Sequence, residues 1–186
     1  MSSPLTSTLL WVSPGPTVSP LHFDLSEGLL CQLHGSKLVT LAAASESARL
    51  YPYPLRHAHD RQSRVDDVHR PDAAQFPLAC SVQLRQGEIR AGDLLYIPYA
   101  HWHQIESQHT SISVSMRWNP HEAALRQAAL SAQATRTLPP HLRSAIQAQL
   151  LDSLGVPATV RDVNLRRWNE LAAMQTDAAA LLDSSL

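Results

Sequence analysis

Between about Thr8 and Trp118, no apolar stretch runs far before glycine, proline or a polar turn interrupts it. That rhythm is too short for helices and points to a body of short strands. Leu9-Leu10-Trp11-Val12, then Ser19 to Asp24, then Leu29 to Leu41 read as strands, with Ser13-Pro14-Gly15-Pro16 and Glu27-Gly28 as breakers. From about Ser45 to Ala79 the pattern dissolves into a polar, proline-containing connection. Strand character returns in Val82-Gln83-Leu84, Leu94-Leu95-Tyr96-Ile97 and Ser111 to Met116. The last of these alternates apolar residues with serine, as a half-buried strand does.

After Asn119-Pro120 the character changes. Glu122 to Thr135 is rich in Ala, Leu and Gln. Leu142, Ile146, Leu150 and Leu154 fall four apart, and Gly155 is placed to end that helix. A third helical stretch runs from about Val160 to Leu182, with Val163, Trp168, Leu171 and Met174 as its apolar candidates. The expected organisation is a β body over residues 1–119 and a helical extension over residues 120–186.

Composition narrows the function classes. A net charge of −1 argues against a sequence-independent grip on nucleic acid. The cluster Arg56, Arg61, Arg64 and Arg70 reads as a solvated polar loop. Cys31 and Cys80 are too few for a disulfide scaffold, and each sits in an apolar run where a buried thiol behaves as a small hydrophobe. The segment Met1 to Leu10 lacks the basic start of a signal peptide, and no run approaches the ~20 apolar residues of a membrane span. The expectation is a cytoplasmic protein with no membrane association.

Chemistry concentrates in three places. In His22-Phe23-Asp24, extended backbone presents the imidazole and the carboxylate side by side on one face. By itself this is a common surface pair. Gly92-Asp93 turns the chain into the apolar Leu94–Ile97 strand, Pro98 ends it, and the run Ala100-His101-Trp102-His103 opens the next. A histidine there would complete two imidazoles and one carboxylate, a facial set that leaves coordination positions open and suits non-haem Fe(II). Zinc is more usually closed by four ligands, or by three and a water. Lys37 lies in a largely apolar strand, where an ammonium is costly unless it meets an anion or snorkels to the strand end. His57 and His59 have ligand spacing, but their surroundings read as a loop bordering the substrate entrance.

The segments SPLHFDLSEGLLCQLHGSKLVTL, RLYPYP, SRVDDVHRPDAAQFP and GDLLYIPYAHWHQIES, in that order, resemble the Jumonji-C family, specifically its cupin-like hydroxylase branch. The resemblance spans roughly Leu9 to Trp118. It implies a mainly β fold, a double-stranded β-helix (cupin or jelly-roll barrel), followed by the C-terminal helical extension. It implies that His22, Asp24 and His103 hold Fe(II) and form the catalytic centre, with His101 as rival to His103. It further implies that Lys37, assisted by Ser19, binds the distal carboxylate of the cosubstrate 2-oxoglutarate. Gly28 stands where relatives often carry an asparagine near the cosubstrate. Relatives also usually have elements before the barrel that contribute to cosubstrate binding.

The expected activity is a 2-oxoglutarate-dependent oxygenase that hydroxylates a protein or peptide side chain or a small molecule, with demethylation second. The alternative is a non-catalytic metal- or ligand-binding cupin lacking the N-terminal cosubstrate elements. A metal-dependent isomerase or hydrolase on the same barrel would need no Lys37 and no oxygen. The helical tail must bury an apolar face, on the barrel or on a second copy, and a homodimer through the C-terminal helices is expected.

Overall fold

A computed structural model describes residues 5–135 and 137–183 and divides the chain into two compact units, Met1–Pro120 and His121–Leu186. Eight strands build the first unit: β1 (Leu5–Ser13), β2 (Thr17–Phe23), β3 (Glu27–His34), β4 (Ser36–Ala42), β5 (Arg85–Arg90), β6 (Leu94–Ile97), β7 (Trp102–Ser107) and β8 (Ser111–Trp118). They form two four-stranded antiparallel sheets, ordered β1-β8-β3-β6 and β2-β7-β4-β5. Consecutive strands alternate between sheets for most of the chain, which is the winding of a double-stranded β-helix. The fold is the one the sequence led us to expect.

That winding depends on corners. Residues 29–41 read as one strand, yet the structure breaks it at Gly35, whose φ of 68° only glycine adopts without strain. A Cβ there would collide with the carbonyl oxygen of Thr110. The chain therefore leaves one sheet at His34 and enters the other at Ser36. Glu27-Gly28, expected as a breaker, instead begins β3, where Glu27 pairs with Trp118 and accepts a hydrogen bond from the Tyr96 hydroxyl. Val82-Gln83-Leu84, expected as a strand, precedes one: β5 starts at Arg85, after a 3-10 helix over Pro77–Ser81. Cys80 lies on that helix and is exposed, contrary to the buried thiol expected, while Cys31 is partly buried.

The sheets close over a core in which Leu30, Val39 and Ile89 are buried, with Leu41, Leu95 and Ile105 packed against them. Burying each such side chain contributes roughly 1.5–3 kcal/mol. A second packing centre lies beside the strand pair β2–β7. Trp102 is fully buried, meets Phe23 edge-on at 4.9 Å, and donates its indole N–H to Ser47 Oγ at 2.9 Å. Phe23 and Trp102 are direct cross-strand partners, and so are their neighbours His22 and His103. Because side chains alternate faces, anchoring the aromatic pair on one side fixes the imidazole pair on the other.

β8 inverts the ordinary reading of an alternating strand. Ser111, Ser113 and Ser115 are its buried residues, while Ile112, Val114 and Met116 are only partly covered. The barrel interior facing β8 is therefore polar.

The second unit contains α1 (Glu122–Ala134), α2 (Pro140–Ser153) and α3 (Ala158–Asp183). Gly155, at φ 70°, ends α2 as expected: its N–H bonds the carbonyl of Asp152, and the Val156 N–H bonds that of Leu151. The stripe at Leu142, Ile146 and Leu154 is not the buried one, however. These three residues are exposed, and α2 buries Gln147 and Leu151 instead. Of the α3 candidates, Val163 is buried, Trp168 and Leu171 are partly covered, and Met174 is exposed. Among the described residues, no helix is long and apolar enough to cross a membrane.

Candidate metal and cosubstrate site

His22 sits near the end of β2, Asp24 one residue beyond it, and His103 near the start of β7. Asp24 lies outside the strand ladder, so other bonds hold it. The Ala100 N–H donates to the Asp24 carbonyl at 2.9 Å, and the Phe23 N–H to the Arg61 carbonyl at 3.1 Å. The loop that contains Arg61 is itself tied back to β2, through the Ser63 N–H on the Leu21 carbonyl at 2.8 Å. One ligand atom from each of His22, Asp24 and His103 lies within 4.8 Å of the others, and the imidazole centroids are 4.2 Å apart.

The histidines are oriented for coordination. His22 Nδ1 lies 2.8 Å from the carbonyl oxygen of Pro20, and His103 Nδ1 lies 3.0 Å from that of His101. A carbonyl only accepts, so each Nδ1 donates to it, which in the neutral ring leaves Nε2 free to ligate. His103 Nε2 faces Asp24 Oδ2 at 3.7 Å. Burial, with the adjacent His22 second, lowers the His103 pKa to about 4, which keeps that ring neutral and able to ligate. His101 falls outside the group. Its carbonyl orients His103, and its own Nδ1 is buried without a hydrogen-bond partner.

These three residues line a cavity of about 130 Å³ between the two sheets, together with Ser19, Lys37 and Arg117. Lys37 does not snorkel. It is 6% exposed and donates from Nζ to Ser107 Oγ at 3.1 Å, and burial lowers its pKa. Ser19 lines the same cavity, but the hydroxyl bonded to Lys37 is that of Ser107, which in turn lies 3.3 Å from Ser111 Oγ. Beside this chain Ser113 Oγ is buried with no partner. A buried ammonium, a hydroxyl chain and an orphaned hydroxyl lack an anion that would satisfy all of them. The donor sets fit the implied groups: two imidazoles and a carboxylate for a divalent metal, and the ammonium with serines for a carboxylate.

Sequence reasoning missed Arg117. It belongs to β8, its guanidinium lies 2.9 Å from Asp24 Oδ2, and Arg61 approaches Oδ1 of the same carboxylate at 3.8 Å. The cross-strand partner of Arg117 on β3 is Gly28, which also lines the cavity. Trp11 was missed too: it lines the cavity from β1 and donates its indole N–H to Ser115 Oγ at 2.9 Å. A basic residue in a run of serines and apolar residues was the one available signal for Arg117. The histidines of the polar loop form no site. His57 stacks on Tyr53 at 4.4 Å, and the His59 N–H bonds His57 Nδ1.

The cupin-like domain family matches residues 1–124. The Jumonji C domain-containing protein 5 of Drosophila melanogaster is 40% identical over 113 residues, covering 58% of this chain and 26% of that protein. Lysine-specific demethylase 8 of Danio rerio is 36% identical over 109 residues, covering 59% of this chain and 26% of its own length. The tRNA wybutosine-synthesizing protein 5 of Homo sapiens is 29% identical over 97 residues, with 52% and 29% covered. The aligned region thus spans about a quarter of each of these relatives. Among solved structures, an oxalate decarboxylase of Bacillus subtilis aligns over 63% of this chain and 22% of its own, at 13% identity and a TM-score of 0.40. Jumonji C domain-containing protein 5 and lysine-specific demethylase 8 are thus similar to this chain over its barrel, and the family match over residues 1–124 shows that the chain belongs to the cupin-like domain family.

Proposed function

We propose that this protein is an Fe(II)- and 2-oxoglutarate-dependent oxygenase that hydroxylates a protein or peptide side chain or a small molecule. Members of the Jumonji-C family use Fe(II) and 2-oxoglutarate. The observation that carries the reading is a single cavity holding two imidazoles, one carboxylate and, within the same walls, a buried ammonium.

His22, Asp24 and His103 would hold the metal on one face, leaving positions open for cosubstrate and oxygen. Lys37, with the hydroxyls of Ser107 and Ser113, would hold the far carboxylate of 2-oxoglutarate, and Ser19 adds a further hydroxyl to that wall. When bound, the metal supplies the oxygen activation, coupled to decarboxylation of the oxo acid. The protein's own work is placement. Pro20 and His101 carbonyls fix the imidazole tautomers, and the loop carrying Arg61 keeps Asp24 beside them. Removing an N-methyl group begins with hydroxylation of that methyl carbon, so the demethylation in the relatives' names and a lasting hydroxylation need the same centre. We assign hydroxylation because it is the step common to both.

Anaerobic addition of Fe(II) and 2-oxoglutarate should produce the visible metal-to-ligand charge-transfer band of a chelated oxo acid. Admitting oxygen should then yield succinate. His22→Ala and Asp24→Ala should abolish both. A band without succinate would identify a non-catalytic binding cupin, and turnover that survives in the variants would remove the assignment.

A further inference from the structure

Arg117 is the charged group of the cavity that the reading above leaves without a task. Its side chain is 29% exposed, and its guanidinium is bonded to Asp24 Oδ2, the same oxygen that faces His103 Nε2. That oxygen is therefore turned towards the place a metal would occupy. Once a divalent ion takes up the charge of Asp24, the carboxylate can neutralise Arg117 far less well. The cavity would then hold a guanidinium and an ammonium, each needing an anion.

We infer that Arg117 binds the metal-proximal carboxylate of the cosubstrate, so that the diacid is held by a cation at each end, Arg117 near the metal and Lys37 far from it. This deepens the reading proposed above and rests on it.

A metal held by His22, Asp24 and His103 would bring the cosubstrate's bound oxygens beside the Asp24 carboxylate, which serves the same ion. A guanidinium already 2.9 Å from one candidate ligand oxygen is thus within reach of an oxygen bound next to it. Its planar fork of five donors can serve both, where a lysine could offer only a point charge. Room exists for the second partner. Gly28 stands directly across the ladder from Arg117, and a Cβ placed on it would have no neighbour nearer than 3.8 Å. The strand beside Arg117 in the same sheet therefore puts no side chain next to its guanidinium, although a Cβ would fit there, and the barrel needs no glycine at that position for its own geometry, since Gly28 is not among the positive-φ residues.

The experiment compares wild type, Arg117→Gln, Arg117→Lys and Lys37→Met in the full chain. Mn(II) affinity without cosubstrate is read by electron paramagnetic resonance. Affinity of the Mn(II)-loaded protein for 2-oxoglutarate, and for 2-oxobutyrate, which lacks the far carboxylate, is read by calorimetry. Arg117→Gln should bind Mn(II) at least as tightly as wild type, because a competing cation is gone. It should bind both oxo acids at least tenfold more weakly, with Arg117→Lys intermediate. Lys37→Met should lose affinity for 2-oxoglutarate but not for 2-oxobutyrate.

Unchanged oxo-acid affinity in Arg117→Gln overturns the inference. So does a parallel loss of Mn(II) affinity, which would make Arg117 a positioning residue for Asp24 alone. A wild-type protein that binds Mn(II) but not 2-oxoglutarate instead overturns the proposed function itself.

Discussion

His103 joins the metal reading to the stability of the metal-free protein. Burial, reinforced by His22, lowers its pKa from the ordinary 6.5 to about 4. Between those values the unfolded chain binds the proton and the folded chain does not, so stability rises with pH across that window. The contribution is complete above about pH 6.5 and is lost as the pH falls towards 4, a difference on the order of 3 kcal/mol. Chemical denaturation of the metal-free protein at pH 4.5 and 7 should show this loss. His103→Gln should flatten it, and an equal acid loss in that variant would place the proton elsewhere. The same neutrality leaves Nε2 available to a metal at physiological pH. Much of this site was legible in the sequence, because the spacing of His22 and Asp24 on extended backbone sets their shared face. The hydroxyl partner of Lys37 was not. Ser107 is 70 residues away, and only the β4–β7 pairing brings it into contact.

At the scale of the element, register and corner decide what the residues can do. The alternation in Ser111 to Met116 disclosed a strand but not which face turns inward. Ordinary hydrophobic burial would have put Ile112 and Val114 inside. The interior is a ligand cavity, so the serines face it, and Arg117, two residues after Ser115, shares their face. Arg117 was illegible for that reason. The break at Gly35 was hidden because residues 29–41 read as one strand, although His34-Gly35-Ser36 is the polar, glycine-bearing point at which the chain changes sheet. Gly35→Ala should therefore be severe. The new Cβ meets the Thr110 backbone, and the left-handed φ is strained for alanine. We expect a loss of about 3 kcal/mol or more, read as a shifted denaturation midpoint. Gly155→Ala, also at positive φ but with no neighbour within 4 Å of the added carbon, should cost about 1 kcal/mol. Equal costs at the two positions would show that the corner is not the constraint.

At the scale of the whole molecule, every residue assigned to metal or cosubstrate lies in the unit Met1–Pro120, and so do both packing centres that hold the barrel. The sheets take all their strands from that unit as well. A chain ending at Pro120 should therefore fold, and its Mn(II) and 2-oxoglutarate affinities should stay within about threefold of the full chain's. Calorimetry on the two chains checks this, and a truncated chain that folds but binds neither would show that the site needs residues beyond 120. The same pair of chains tests the homodimer expected through the C-terminal helices. Leu142 and Ile146 on α2, with Leu154 just past its end, form an apolar stripe that stays exposed. Removing a stripe that joins two copies should convert a dimer to a monomer in size-exclusion chromatography with light scattering. An oligomeric state that is the same in both chains would end the helix-mediated dimer while leaving the metal site untouched, because the two expectations rest on different units of the chain.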